Sequence, residues 1–224
     1  MLHWKTVSSQ LKEYILILMD AEELRQFRLV GGTALSLHLG HRMSVDIDLF
    51  TDAAYRSVDF EAIEAFLKKS FPFVSGDFGG SPIMGKSYLI GPDQNNTIKL
   101  DIYYSMDPFF QDAVLSEGVR LASVEEIIAM KIDVVQRGGR KKDFWDLHQL
   151  LDSYDLADMI SLHSKRFEWT HDPKVILTNI TDFTGADTDF NPLCLMGKEW
   201  IFIKEDFETA RSAIESPEGN DSGI

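Results

Sequence analysis

The sequence predicts an α+β fold: a mixed sheet with flanking helices, followed by a mostly helical C-terminal region. Three observations predict it. Residues 45–50, Val45-Asp46-Ile47-Asp48-Leu49-Phe50, alternate apolar and acidic with the period of a half-buried strand. Residues 87–91 and 97–104 repeat the strand pattern on either side of the turn Gly91-Pro92-Asp93-Gln94-Asn95-Asn96. From Ser123 onward, helix signals follow one another without a strand signal between them. The expected domains are therefore 1–121 as a mixed core, 122–215 as a helical domain and 216–224 as a flexible tail.

The elements are read in order as follows. Leu2 to Met19 forms one helix, and Asp20 with Glu23 caps a second that runs to Arg28. Gly31-Gly32 breaks the pattern, after which Thr33–Leu39 is a short helix that Gly40 stops. In the strand at 45–50, Val45, Ile47 and Leu49 point one way, and Asp46 and Asp48 the other. Phe60, Ile63, Phe66 and Leu67 mark an amphipathic helix. In the strand at 97–104, Lys99, Asp101 and Tyr103 share a face. Ser123 and Glu126 form a capping box for a helix that runs to Gln136 and stops at Gly138-Gly139. A further helix begins near Lys142 and carries Phe144, Leu147 and Leu151. Asp172-Pro173 opens another, and Glu205 to Ile214 is the last. Ser216–Ile224 is rich in Ser, Gly, Pro and acids, as loose tails are.

Composition bounds the function. A chain of 224 residues with 44% hydrophobic content suits one ordinary domain, or one with a helical extension. A net charge of −14 excludes a general nucleic-acid coat, which needs clustered Lys and Arg, but leaves room for a local basic pocket. The single cysteine, Cys194, permits no internal disulfide and reads as a packed thiol, and no Cys/His set has zinc spacing. A reducing, cytoplasmic setting is expected. No apolar run reaches the ~20 residues of a membrane span, and the N-terminus lacks a signal-peptide pattern, so no membrane partner is expected.

The chemistry concentrates between Val30 and Leu49. Two aspartates at i and i+2 on a strand lie on one face, roughly 6–7 Å apart. That spacing suits Mg²⁺, which takes hard oxygen ligands from one or two carboxylates together with substrate phosphates. Upstream, separated from Asp46 by the thirteen residues Thr33–Val45, Gly31-Gly32 lets the backbone approach a phosphate, and the helix that follows offers free N–H groups. A glycine pair before a helix is by itself most often a turn. An Asp-x-Asp in a strand is rarer, because same-face carboxylates repel. The ordered pair of features is the stronger signal.

These residues carry a resemblance. An apolar residue, Gly-Gly, a short helix and Asp-x-Asp resemble the signature of the polymerase-β-like nucleotidyltransferase superfamily. More narrowly, Leu29–Leu35 with Gly40–Phe50 is similar to the AbiEii/AbiGii-type nucleotidyltransferase toxins of bacterial toxin–antitoxin pairs. The resemblance resumes at Lys131 and at Lys142–Leu147, and extends more loosely to Trp200. It implies a metal- and NTP-dependent nucleotidyltransferase with Mg²⁺, or Mn²⁺ as the alternative, held by Asp46, Asp48 and a third carboxylate, Asp101. Asp101 would complete the metal site or take a proton from the acceptor. The resemblance assigns nucleotide contacts to Gly31, Gly32, Thr33, Arg42, Ser44, Lys131 and Arg137, and a catalytic acid to Asp143, with Asp146 one turn later as the alternative.

Each of these residues also has a plainer reading. Lys131 reaches to water from mid-helix, Asp143 favours a helix N-terminus, Arg42 pairs with a nearby acid, and the basic stretch Arg137, Arg140, Lys141, Lys142 is a solvated loop. Asp187-Thr188-Asp189 repeats the spacing but follows Gly185 and precedes Asn191-Pro192, so it is expected to be a solvated loop. Three acceptor classes stay open: tRNA, protein side chains, and small molecules such as antibiotics. An antitoxin partner is implied by the resemblance alone, as is the further alternative of a non-catalytic antitoxin-binding module.

Overall fold

A computed structural model describes residues 1–80, 82 and 84–216. Its strands are β1 (Arg28–Leu29), β2 (Ile47–Thr51), β3 (Phe73–Gly76), β4 (Gly85–Gly91), β5 (Ile98–Tyr104), β6 (Val114–Ser116) and β7 (Val119–Leu121). They form one mixed sheet in the order β3-β4-β5-β2-β1-β7-β6. Its helices are α1 (Ser9–Asp20), α2 (Gly31–Leu39), α3 (Phe60–Ser70), α4 (Val124–Val135), α5 (Lys141–His148), α6 (Leu156–Arg166), α7 (Pro173–Asn179), α8 (Thr184–Asp187) and α9 (Trp200–Glu215). The α+β expectation holds. The chain divides into two compact units, Met1–Ile127 and Ile128–Ile224, and the division falls inside α4.

Alternation builds the centre of the first unit. β2 and β5 pair in parallel, with Asp48 opposite Asp101 and Leu49 opposite Ile102. Ile47, Leu49, Leu100 and Ile102 are fully buried on one side, which puts Asp48 and Asp101 together on the other. β1 runs antiparallel to β2, and one residue beyond it the Val30 amide donates to the Asp48 carbonyl at 2.9 Å. The chain thus turns into α2 directly beside the aspartate strand. α3 is tied to β4 by a buried ion pair, Lys86 Nζ to Glu64 Oε1 at 2.6 Å. The Lys86 ammonium also donates to the Gly79 carbonyl, and the Gly79 amide donates to Glu64.

Several boundaries differ from expectation. The first helix begins at Ser9, where Ser8 Oγ accepts from the Leu11 amide at 3.1 Å; residues 4–6 form only a 3-10 turn. The helix expected from Asp20 to Arg28 is a 3-10 turn at Glu22–Leu24, followed by β1. Sheet pairing claims Arg28 and Leu29 there. Val45 is 69% exposed, and the strand starts only at Ile47, so Asp46 lies just before β2. α2 begins at Gly31, two residues earlier than expected, while Gly40 closes it with φ +72° and its amide on the Ser36 carbonyl.

Ser123 caps α4 as expected, its Oγ accepting from the Glu126 amide at 3.2 Å. The Glu126 carboxylate accepts from the Phe110 and Gln111 amides. Asp172 caps α7 through the Lys174 and Val175 amides.

The second unit packs α5 against α9 around Phe144, Phe183, Trp200 and Phe207, with ring centroids 5.2–5.9 Å from Phe144. α9 starts at Trp200, five residues before the expected Glu205. Trp200 stacks on Trp145 and donates its Nε1–H to Asp187 at 2.6 Å, which anchors the extra turn. Asp187 and Asp189 are therefore not simply solvated: Asp187 closes α8 and also accepts from Lys204, and Asp189 accepts from both Nε and Nη2 of Arg140. The expected tail lies, apart from Ser216, outside the described residues. No described helix is long and apolar enough to cross a membrane.

Candidate active site

The turn Val30-Gly31-Gly32 places α2 against the aspartates. Gly31 has φ +66°, a conformation L side chains rarely adopt, and a Cβ there would stand 2.8 Å from Asp48 Oδ2. Only glycine meets both conditions. A Cβ at Gly32 would collide with the Arg42 guanidinium, which lies buried across the turn and donates to the Met43 carbonyl at 3.0 Å. Thr33 and Ser44 are also buried. Thr33 Oγ1 donates to the Asp46 carbonyl at 2.5 Å and lies 2.8 Å from Ser44 Oγ. These two hydroxyls lock the approach to Asp46 against the first turn of α2. His41 is buried between α2 and the aspartate strand.

Asp48 and Asp101 are register partners on adjacent strands, and Asp46 sits two residues before Asp48. Lys99, two residues before Asp101 and half-exposed, donates to Asp101 Oδ2 at 2.5 Å. Its ammonium is held above the ordinary lysine pKa, first by that hydrogen bond and further by the charges of Asp101, Asp48 and Asp46. One lysine thus senses all three carboxylates. Its alternation with Asp101 was visible in the sequence, but nothing there assigned it a role.

Among the described residues, no three His, Cys, Asp or Glu side chains converge as they stand into a metal-holding group. The donors nevertheless suit a hard divalent cation. Asp101 Oδ1 is buried with no hydrogen-bond partner, and Asp48 is its neighbour across the strand pair. An acceptor left in that position fits a cation better than it fits a purely structural role.

The remaining site candidates lie in the second unit, where they form a cluster of their own. Lys131 is buried, with Nζ 2.5 Å from Asp143 Oδ1 and 2.9 Å from Asp146 Oδ2. Asp143 Oδ2 also accepts from the Arg140 amide at 3.0 Å, capping α5. Both candidate acids therefore hold the same ammonium. Arg137 pairs with Asp133 one turn back and is largely exposed. Lys141 is buried, donates to Asn191 Oδ1 at 3.1 Å and lies over the Trp200 ring.

This fold is that of the nucleotidyltransferases. MenT4, a nucleotidyltransferase toxin from Mycobacterium tuberculosis H37Rv, superposes with a TM-score of 0.54 at 13% identity, covering 90% of this chain and 82% of that one. JHP933 from Helicobacter pylori gives 0.57 at 20% identity, covering 93% and 90%. An uncharacterised protein of Aquifex aeolicus is 26% identical over 174 residues, 71% of this chain and 75% of its own length. Residues 16–218 match the sequence model of the family described as nucleotidyl transferase AbiEii toxin of type IV toxin–antitoxin systems. The chain belongs to that family.

Proposed function

We propose that the protein transfers a nucleoside monophosphate from an NTP to an acceptor hydroxyl, with Asp46, Asp48 and Asp101 as the reacting centre. The observation that carries this reading is the pairing of Asp48 with Asp101 across two parallel strands, with the Gly31 turn packed against Asp48. The acceptor oxygen forms a bond to the α-phosphorus, the bond from that phosphorus to the bridging oxygen breaks, and pyrophosphate leaves with its electron pair. Asp101 either completes the cation site or takes the hydroxyl proton. A divalent cation bound to these carboxylates would neutralise charge on the phosphates.

Placement supports roles for the residues around the aspartates. Gly31 and Gly32 open α2, whose first amides face the position a phosphate would take. Thr33 and Ser44 hold the turn, and Arg42 braces Gly32 from behind. Lys99 balances the carboxylates until a cation replaces it. Phosphate contacts by Lys131 and Arg137, and the acid role of Asp143, rest on the family resemblance. The acceptor is tRNA or a protein in this proposal, and membership of a toxin–antitoxin family supports a cognate antitoxin as partner.

The test is label transfer from each α-labelled NTP in Mg²⁺, with and without total tRNA, beside an Asp46→Ala/Asp48→Ala double variant. Label on tRNA that the variant cannot add is the expected result. Label on protein alone moves the acceptor to a protein side chain, and NTP binding without transfer redirects the search to small molecules. A protein that neither binds nor transfers any NTP overturns the proposal and leaves a partner-binding module.

A further inference from the structure

The second unit contains a cavity of about 850 Å³ bounded by the end of α5, the segment that leads into α6, and α9. Lys198 reaches into it. Its Nζ donates to His148 Nδ1 at 2.7 Å and lies 3.4 Å from the His148 carbonyl oxygen. On the far side of the ring, His148 Nε2 is 2.8 Å from Asp206 Oδ2. A carboxylate only accepts, so the ring donates from Nε2 and turns the Nδ1 lone pair toward the amine. The order carboxylate, imidazole, amine is that of an oriented base beside a nucleophile.

We propose that this cavity is a second ligand site, in which Lys198 is an amine nucleophile toward a small neutral or cationic carbonyl compound, His148 its base and Asp206 the group that orients the imidazole. The Lys198 amine attacks the carbonyl carbon, His148 relays the proton it sheds, and the carbonyl oxygen leaves as water. The product is an imine, and no oxidant or reductant is consumed.

Three features support this reading. Burial lowers the Lys198 pKa from the ordinary lysine value even though Asp152, Asp206 and Cys194 pull it upward. Burial also lowers that of His148 against the pull of Asp206 and Asp152, and so favours a neutral ring that can accept. Asp152, Asp155 and Asp206 line the cavity and repel anionic ligands, while Leu151, Leu156 and Ile214 offer apolar contact. A relay that merely pinned α9 to α5 would satisfy the same hydrogen bonds without making Lys198 reactive.

Reactivity therefore decides between them. The intact protein is treated at neutral pH with limiting pyridoxal or pyridoxal 5′-phosphate, reduced with borohydride, and mapped by peptide mass spectrometry. Lys198 is expected to label several-fold faster than the exposed Lys69 and Lys174, because burial lowers its pKa and leaves more of it as the free amine. The ratio of pyridoxal to phosphate labelling should be higher at Lys198 than at Lys69, and His148→Gln and Asp206→Asn should each slow the labelling. The Asp206 side chain is 59% exposed, so Asp206→Asn keeps the test valid even where His148→Gln fails to fold, as circular dichroism will show. Labelling of Lys198 no faster than that of Lys69, or unchanged in Asp206→Asn, overturns the proposal. A ratio at Lys198 no higher than that at Lys69 overturns the assigned ligand charge.

Discussion

Asp48→Asn is expected to reduce nucleotidyl transfer by roughly 10²–10³-fold, the scale seen when a preorganised electrostatic group is removed from a reacting centre. The position leaves little room for compensation. Asp48 is the second residue of β2, pairs in register with Asp101, and meets the backbone of Gly31 at a distance that excludes any side chain there. Stability should move the other way or not at all. Asp46, Asp48 and Asp101 crowd like charges near Lys99, so neutralising one relieves repulsion while weakening the attraction to that lysine. The net change is expected to stay within about 1 kcal/mol. Transfer rate and thermal midpoint, measured on the same preparation, check both halves. An inactive protein of undiminished stability marks a site whose arrangement serves chemistry rather than folding; an Asp48→Asn variant that keeps a substantial share of the activity places the chemistry elsewhere.

Lys131→Met is expected to cost about 3–5 kcal/mol, the usual penalty for leaving buried charge without its partner. Here two carboxylates, Asp143 and Asp146, lose the same ammonium, and Asp146 has no exposure at all. Denaturant unfolding measures the loss, and adding Asp146→Asn to the Lys131→Met variant should recover part of it. A drop in transfer on replacing Lys131 is thus no proof of a phosphate contact unless the variant is shown to be folded. If Lys131→Met unfolds at the same denaturant concentration as the parent, the buried cluster is not the structural element described above.

What the sequence made legible was local. Asp46 and Asp48 stand out because acids alternating with Val, Ile and Leu violate strand preference within six residues. Gly31-Gly32 is a conspicuous break, and the caps at Ser123, Asp172 and Gly40 are read from neighbours three or four positions apart.

The rest depended on partners far along the chain. β1 and β7 are two and three residues long, too short to show a period, and exist because Leu29 finds Leu49 on one side and Leu121 on the other. β3 and β6 are similarly short edge strands. Val45 fits the alternation yet is exposed, because β5 pairing begins only at Ile47. The reading of Lys131 as a lysine reaching for water came from its apolar neighbours on α4. Its actual partners lie 12 and 15 residues on, across a turn and on the next helix. The 11-residue link between Thr33 and Ser44, and the relay joining residues 148, 198 and 206, have no local signature at all.

The most direct measurement is the ratio of pyrophosphate released to nucleotide incorporated, taken with α- and γ-labelled NTP in Mg²⁺ and again after chelation by EDTA. Nucleotidyl transfer at Asp46, Asp48 and Asp101 requires one pyrophosphate for each α-label that becomes acid-insoluble, no γ-label in the product, and loss of both signals with EDTA. Incorporation of the γ-label, or transfer that continues undiminished after chelation, would contradict it.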